Sequence, residues 1–246
     1  MIRIRDVEKR GRDGSCVLGG VTLEVPKGCL YGLIGPGACG KSVLLKSIAG
    51  LLKLDGGSIH VGDRDITRMS ELELQRMRGD IGMLFQNNAL FDHWSVFENV
   101  AFPLRRLTQL GEAEIRERVM ERLARVTLAG FEDRMPSRLS GGQKKRVGVA
   151  RATVTNAQIV LYDEPAAGLD PVTSQRIFDL LRREQLASGA TVIMVSSDLD
   201  RLLTVTDRVG MLYRGNLIFD GTTAEAKLAT DPHVRQFVHG LTSGPL

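Results

Sequence analysis

The sequence predicts an α/β fold with a mostly parallel sheet, a β-rich start and a helical insert in its middle. Compact apolar runs typical of buried strands occur at residues 30–34, 158–162 and 191–195, and each is followed by a helical pattern. The first 34 residues contain mainly short β runs, whereas the pattern is helical from about residue 86 to 157. Strands that alternate with helices favour parallel pairing, and these observations together predict the fold class.

We expect one domain over residues 1–246, because no low-complexity linker or internal repeat divides the chain. Its expected parts are a β-containing core (1–85 and 158–220), a helical subdomain (about 86–157) and a C-terminal tail (221–246). The composition, 43% apolar and 25% charged, is that of an ordinary globular protein and excludes a collagen or a disordered chain. No apolar run reaches the roughly 18 residues that span a bilayer.

Charge and cysteine content say little about the binding partners and the cellular compartment of the protein. The formal net charge of +4 permits contact with nucleic acid or an anionic membrane, but acidic and basic residues are interleaved along most of the chain. The three cysteines are Cys16, Cys29 and Cys39. Their odd number and the lack of a CxxC pair argue against a disulfide framework, and they favour a reducing cytoplasm.

The N-terminal half contains several short elements in sequence. Ser70 and Glu73 form a capping-box pattern that opens a helix to residue 78, and Ser95 and Glu98 form a second such pattern. The strands predicted in this half are residues 1–7, 21–25, 30–34, 58–61 and 81–85, and the helix predicted after the third strand is 42–52.

The C-terminal half alternates helices and strands more regularly. Asp170 and Pro171 form a helix start, with Asp as N-cap and Pro at the first helical position. Residues 214–216 form the turn of a hairpin. The helices predicted here are 113–126, 171–187 and 198–205, and the strands are 158–162, 191–195, 209–213 and 217–219.

A glycine-rich turn between the strand at 30–34 and the following helix fits the pattern GxxxxGK[ST] in full. In such a P-loop, backbone N–H groups converge on phosphate oxygens, the lysine reaches the β- and γ-phosphates, and the hydroxyl binds Mg²⁺. The alternative is a plain glycine-rich turn, which the flanking strand and helix disfavour. The predicted ATP-binding residues are Gly35, Pro36, Gly37, Ala38, Cys39, Gly40, Lys41 and Ser42.

Two acidic residues, Asp163 and Glu164, end the buried strand at 158–162. Open α/β sheets bind their ligands at the carboxyl ends of strands. Asp163 can hold Mg²⁺, mostly through water, and Glu164 can polarise an attacking water molecule. Alone, the Asp-Glu-Pro string could equally end a strand in a turn, but the P-loop favours the functional interpretation.

A second candidate anion site lies at a helix start and consists of Ser140, Gly141 and Gly142. A protein with a single P-loop does not need a second site of this kind. Residues 139–143 read Leu-Ser-Gly-Gly-Gln. With the P-loop and the acidic strand end, this string resembles the ATP-binding subunits of ABC transporters over nearly the whole chain. The fold is thereby identified as a P-loop NTPase of the ABC nucleotide-binding type.

The resemblance implies a head-to-tail homodimer in which each ATP lies between one P-loop and the other subunit's signature motif. Ser140, Gly141 and Gly142 would then bind the γ-phosphate across the interface. Gln86 matches the Q-loop glutamine, which touches Mg²⁺ and water, and Asp170 matches the D-loop aspartate at the dimer contact. The metal ligands implied are Ser42, Gln86 and Asp163, and the cofactors are ATP and Mg²⁺.

An integral membrane permease is a further partner that the resemblance implies. Residues 86–103 would form the surface that meets it, with the aromatic residues Phe91, Trp94, Phe97 and Phe102. Aromatic content alone is more often core packing, so this assignment depends on the resemblance. It also implies a location on the cytoplasmic face of the inner membrane.

A narrower resemblance, to the ATPases of Mla-type lipid transport systems, is carried by residues 83–86, 89–91, 96–105 and 231–237 and by Gly244 with Pro245. Such systems move phospholipids between bacterial membranes with a permease and an MCE-type lipid-binding protein. The expected activity is therefore ATP hydrolysis that powers phospholipid trafficking. Soluble family members acting in translation usually carry two cassettes, so we expect no nucleic-acid partner.

Two positions depart from the family pattern. Ser197 stands where the family has a histidine after the strand at 191–195, and a serine is shorter and holds no proton near neutral pH. We expect slower hydrolysis with ATP binding kept, and list Ser197 with Glu164 and Gln86 as catalytic positions. Lys9 and Arg10 replace an aromatic that stacks on adenine, which predicts weak discrimination between bases.

Two alternatives stay open at this stage. The missing histidine leaves room for a nucleotide-gated regulatory subunit with little or no hydrolysis. The permease could also transport another solute, because nothing in the ATPase residues themselves touches a lipid.

Overall fold

The computed structural model describes all 246 residues and contains two sheets and nine α-helices. The strands are β1 (Ile2–Arg10), β2 (Cys16–Val25), β3 (Leu30–Ile34), β4 (Gly56–Val61), β5 (Arg64–Asp65), β6 (Ile81–Leu84), β7 (Ile159–Asp163), β8 (Thr191–Val195), β9 (Arg208–Tyr213) and β10 (Asn216–Thr222). The helices are α1 (Lys41–Ile48), α2 (Glu71–Arg78), α3 (Val96–Leu107), α4 (Glu112–Arg125), α5 (Gly141–Thr153), α6 (Pro171–Ser188), α7 (Leu199–Val205), α8 (Thr223–Lys227) and α9 (Pro232–His239).

The larger sheet has the strand order β10-β9-β3-β8-β7-β6. Its five strands from β9 to β6 pair in parallel, and β10 adds an antiparallel edge. The smaller sheet, β2-β1-β4-β5, is antiparallel throughout. This is the α/β class that the sequence predicts, with the β-rich start forming its own sheet.

The parallel sheet is buried on both faces, which is why its strands read as continuous apolar runs. In β7, Val160 and Tyr162 face the core formed with the helices of the insert and α6. Ile159 and Leu161 face the opposite core, between the parallel sheet, α1 and the antiparallel sheet. The alternation along one strand thus sets which helices cover each face.

Helices α3, α4 and α5 occupy the region where the sequence predicts an insert. A buried cluster of charges joins α4 to α6: Arg122 Nη1 lies 2.5 Å from Glu184 Oε2, and Arg125 Nε lies 3.2 Å from Glu184 Oε1. Arg122 also donates to the side chain of Asn156 at 2.8 Å. The helical part is therefore fixed to the sheet domain by charge as well as by apolar packing.

Three local predictions were wrong in detail. Helix α1 ends at Ile48 instead of residue 52, because the chain reverses there and the N–H of Leu51 bonds back to the carbonyl of Lys46. The Ser95 hydroxyl caps α3 as predicted, but Glu98 does not return the bond and pairs with Arg105 instead. The first two strands are longer than predicted.

Residues 221–246, the expected C-terminal tail, contain two further helices. Two helices, α8 and α9, follow β10, and the hydroxyl of Thr222 and the carboxylate of Asp231 cap their starts. Buried side chains of Ala226, Val234 and Val238 join them to the main core. No helix of the protein combines the length and the apolar character needed to cross a membrane.

Candidate functional site

The candidate site lies at the carboxyl edge of the parallel sheet, where three neighbouring strands end. Strands β3, β8 and β7 lie side by side, so the loops after Ile34, Val195 and Asp163 meet at one place. The glycine-rich turn, the acidic pair and Ser197 are thereby brought together from three distant parts of the sequence. Topology places ligand sites of α/β proteins at this edge.

The glycine-rich turn has a backbone that only glycine can adopt at two of its positions. Gly35 has a φ of 139° and Gly40 a φ of 104°. A Cβ at Gly35 would lie 2.1 Å from the carbonyl oxygen of Leu212, and one at Gly40 would lie 2.7 Å from that of Val17. With Ala38 also in the left-handed region, the turn has the geometry in which successive N–H groups face one concavity.

Lys41 lies at the start of α1 with its side chain folded over the turn. Its Nζ donates to the carbonyl oxygens of Gly35 and Pro36, both at 2.7 Å, and lies 3.6 Å from Sγ of Cys39. No carboxylate pairs with this ammonium. The turn therefore holds a cation beside a helix N-terminus, two features that both attract phosphate.

Ser42 and Asp163 are in direct contact. The Ser42 hydroxyl donates to Oδ1 of Asp163 at 2.9 Å, and Asp163 is buried. Two hard oxygens this close suit a magnesium ion, which prefers oxygen ligands and shares them with substrate phosphates. Such an ion keeps several water ligands, and substrate phosphate oxygens would share the remaining positions with these two side chains.

Glu164 is held firmly by the strand beside it. Its backbone is left-handed, with a φ of 51°, and its N–H donates to the carbonyl of Val195 at 2.9 Å. Its Oε2 accepts hydrogen bonds from the N–H and from the hydroxyl of Ser197, each at 3.0 Å. Both residues line a cavity of about 270 Å³ that has room for several water molecules.

Gln86 follows β6 and reaches the same level of the sheet as Glu164. Strand β6 pairs in parallel with β7, with Leu84 opposite Tyr162, so the chain leaves the sheet at adjacent strand ends just before Gln86 and Glu164. Their carbonyl oxygens accept hydrogen bonds from one side chain, that of Lys145 in α5. No sequence motif pointed to a role for Lys145.

Ser140 begins α5 and takes part in a complete capping box. Its hydroxyl accepts from the N–H of Gln143 at 3.3 Å, and the Gln143 side chain accepts from the N–H of Ser140 at 2.8 Å. Ser140 and Gly141 are exposed, and no hydrogen bond joins them to the glycine-rich turn of the same chain. Gly142 is buried, and a Cβ there would lie 2.7 Å from the methyl of Thr173.

Asp170 caps α6 as the sequence predicts. Its Oδ1 accepts from the N–H groups of Val172 at 3.0 Å and Thr173 at 2.9 Å. Hydrogen bonds from Thr173 and then from Val172 hold the pKa of this carboxyl below its usual value. The Asp170 side chain is exposed. It lies near the start of α5, since the preceding residue, Leu169, packs against Gly141.

Lys9 and Arg10 are tied to one carboxylate, that of Asp55. The Nζ of Lys9 donates to both oxygens of Asp55, at 3.0 and 3.1 Å, and the backbone N–H of Arg10 donates to the second at 2.6 Å. Only the Arg10 side chain remains exposed and unpaired. Of the two basic residues, Arg10 is the one free to reach a ligand.

Three of the four aromatic residues between residues 86 and 103 form one cluster, in which Phe91 and Trp94 are exposed and Phe102 is half-buried. The ring centroids of Phe91 and Trp94 lie 4.4 Å apart, and that of Phe102 lies 5.2 Å from the first and 5.4 Å from the second. Phe97 is not part of it, since it packs against the main core. Asn99, fully buried, fixes the loop below the cluster by accepting from the N–H of Phe91 and donating to three carbonyls.

The family can now be assigned. Residues 18–167 match the family model described as "ABC transporter", which is more than half of the chain. The chain belongs to the ABC transporter family. It is an ATP-binding cassette of that family, as the three motifs indicated.

Relatives of this cassette carry names of several transport systems. It is 35% identical over its full length to the intermembrane phospholipid transport system ATP-binding protein MlaF of Escherichia coli, of which it covers 91%. It is 43% identical over 92% of its length to the probable ribonucleotide transport ATP-binding protein Mkl of Mycobacterium tuberculosis. The chain spans only 63% of the length of that mycobacterial relative.

Solved ABC cassettes have the same fold. The dimeric structure of the bacterial ABC transporter cassette MJ0796 matches with a TM-score of 0.84 at 30% identity, over 91% of this chain and 99% of that one. CbiO1 of Clostridium perfringens, part of an ABC transporter complex, matches with a TM-score of 0.85 at 30% identity, over 98% and 95% of the two chains.

Proposed function

We propose that this cassette binds and hydrolyses ATP in a head-to-tail dimer and thereby powers a permease that moves phospholipids between bacterial membranes. The observation that carries the enzymatic part is the convergence of Ser42, Asp163 and Glu164 at one sheet edge. The full-length likeness to MlaF supports the phospholipid part.

The P-loop supports binding of the ATP phosphates. Lys41 would exchange its bonds to the carbonyls of Gly35 and Pro36 for bonds to β- and γ-phosphate oxygens, which are stronger because both partners are charged. Ser42 and Asp163 would hold Mg²⁺ with the Gln86 side chain. When bound, the ion would neutralise charge that develops on the transferring phosphoryl group.

Glu164 is proposed to polarise the attacking water. Its carboxylate borders the cavity described above and is oriented by Ser197, so one oxygen is occupied and the other is free to accept from water. Ser197 lacks the second proton-bearing atom that a histidine offers, which supports slow turnover.

The proposal of a dimer rests on the lack of hydrogen bonds between the signature motif and the P-loop of the same chain. Ser140 and Gly141 are exposed and make no hydrogen bond with their own P-loop, so a second chain would have to bring them to the γ-phosphate. Asp170 lies beside them at the same surface. The dimeric structure of the related cassette MJ0796 supports this assembly.

An ATPase assay with Glu164→Gln tests the enzymatic part. We expect the wild-type chain to release phosphate with turnover that this substitution abolishes while ATP binding persists. Glu117→Gln, at an exposed glutamate of α4, is the matched control and should leave turnover unchanged. A wild-type chain that binds ATP without turnover would instead be a nucleotide-gated regulatory subunit.

Affinity purification from native membranes, followed by mass analysis, tests the transport part. We expect a permease, an MCE-type protein and phospholipids to accompany the chain, which would hold it at the cytoplasmic face of the inner membrane. A variant with Phe91 and Trp94 replaced by alanine should lose the permease, because these rings form the proposed docking surface. Recovery of ribonucleotide in place of lipid would contradict the proposal and favour the substrate in the Mkl name.

A further inference from the structure

Lys145 is a buried cation without an acidic partner. It lies in α5, five positions after Ser140, and is 4% exposed. Its Nζ donates to the carbonyl oxygen of Gln86 at 2.5 Å and to that of Glu164 at 3.1 Å. Since neither acceptor is charged, the ammonium is held by two backbone dipoles from two different loops.

Burying an ammonium group is unfavourable unless hydrogen bonds replace its lost hydration. Burial lowers the pKa of Lys145, against the opposing charges of Glu164 and Asp163. An apolar side chain of similar length would fill the same space without that cost. A lysine at position 145 is therefore explained by its N–H donors. Both of their acceptors are backbone carbonyl oxygens of candidate site residues.

The Glu164 carbonyl belongs to a left-handed residue, a conformation that persists only when its surroundings fix it. Its N–H is fixed by Val195, its carboxylate by Ser197 and its carbonyl by Lys145 and by the N–H of Ala167, which lies in the same loop. Of these contacts, only the one with Lys145 comes from the helical insert.

The Q-loop is fixed by the same helix. Asn88 and Ala89 are also left-handed, and Arg151 donates to their carbonyls at 2.5 and 2.7 Å. Helix α5 thus holds the Q-loop backbone at three carbonyls through two cations. Lys145 alone extends this attachment to Glu164 in the sheet domain.

We propose that Lys145 is a positioning residue for hydrolysis, which fixes the backbone of Glu164 and Gln86 to the helix that begins at Ser140. A movement of the signature end of α5 is then transmitted directly to the loop that carries Glu164. The inference rests on the role proposed above for Glu164. Lys145 acts through these backbones and does not touch nucleotide.

Lys145→Met tests the inference, because methionine keeps the length and lacks the donors. We expect kcat to fall by about tenfold or more with the ATP dissociation constant unchanged, since the P-loop is untouched. Lys145→Arg retains donors and should recover part of the turnover. Lys144→Met, at a half-buried neighbour whose side chain makes no hydrogen bond, is the matched control and should behave as wild type.

Amide hydrogen exchange provides a readout independent of turnover. In Lys145→Met we expect faster exchange in peptides covering residues 84–88 and 162–168, and no change in either from Lys144→Met. If Lys145→Met does not fold, Lys145→Leu, which also lacks donors, takes its place in both measurements. Unchanged exchange in these peptides, or a normal kcat, overturns the inference. A wild-type chain without turnover contradicts the proposed function instead, and the exchange result still decides the role of Lys145.

Discussion

The N–H and the hydroxyl of Ser197 both donate to one carboxylate oxygen, Oε2 of Glu164, at 3.0 Å. Ser197 therefore has a role of its own, because it orients the carboxylate of the residue proposed to act on water. Two donors on one oxygen leave Oε1 without a partner from either Ser197 group. The contact joins the ends of β7 and β8, which are adjacent in the sheet.

Substitutions at Ser197 separate its orienting role from the missing histidine. Ser197→Ala keeps the N–H bond and loses the hydroxyl bond, so kcat should fall by about three- to tenfold, which corresponds to the roughly 1 kcal/mol that one ordinary hydrogen bond contributes. Ser197→His should raise kcat above wild type, because imidazole can reach further and hold a proton. Ser137→Ala, at an exposed serine, is the control in the steady-state assay. If Ser197→His leaves kcat unchanged, the expectation that the serine at position 197 slows hydrolysis is wrong.

Arg10 sets a prediction for base selectivity. A guanidinium can stack on a base but distinguishes purines poorly, so ATP and GTP should bind within about fivefold of each other, less than ~1 kcal/mol. Arg10→Tyr should raise the affinity for ATP, and Arg12→Tyr, nearby and exposed, should not. Titration calorimetry measures both nucleotides, and a strong preference of the wild type for ATP would refute this expectation.

Asn99 should control the shape of the aromatic cluster. Asn99→Ala leaves the N–H of Phe91 and the carbonyl of Trp94 without partners, at a cost of about 1–3 kcal/mol, while backbone N–H groups still reach the carbonyls of Phe91 and Ser95. Trp94 is the only tryptophan, so its fluorescence reports the change directly. We expect red-shifted emission and faster quenching. Asn87→Ala, at an exposed residue of the same loop, should preserve the wild-type spectrum, and an unchanged spectrum in both would exclude the role of Asn99.

The buried pair of Arg122 and Glu184 should be worth far more than a surface pair. Glu184→Gln leaves two guanidinium groups facing each other without an anion, which should lower the free energy of unfolding by about 3 kcal/mol or more. Glu114→Gln removes an exposed pair with Arg118 and should cost less than about 0.5 kcal/mol. Thermal unfolding compares the two, and equal shifts would mean that the buried cluster contributes nothing special.

The three cysteines should react at very different rates. Burial, reinforced by the charge of Asp207, raises the pKa of Cys29 to about 11. Its thiolate fraction at pH 8 is therefore only about one in a thousand. As long as the pH stays below that pKa, raising it by one unit increases the thiolate fraction about tenfold. Maleimide at pH 7.5 should label exposed Cys16 first and leave Cys29 unmodified until the chain unfolds. Cys16→Ser removes the rapid phase, and fast labelling of Cys29 in that variant would contradict its burial.

Much of the fold could be predicted because the relevant signals are local. The apolar runs of β3, β7 and β8 each lie within five residues, and the caps at Ser70 and Asp170 use groups no more than three residues away. The P-loop is equally local. The capping box predicted at Ser95 formed only in part for the opposite reason. The Glu98 carboxylate pairs with Arg105, ten residues beyond Ser95, instead of with the N–H of Ser95.

Periodicity, capping and glycine requirements are properties of neighbouring residues, so most strands, the motifs and, through them, the family could be predicted without a structure. Which groups meet could not be predicted in this way. Ser42 reaches Asp163 from 121 positions away, Ser197 reaches Glu164 from 33, and Lys145 reaches Gln86 from 59. Such contacts depend on which strands lie side by side and on which helix covers them, and no local pattern of residues specifies that arrangement.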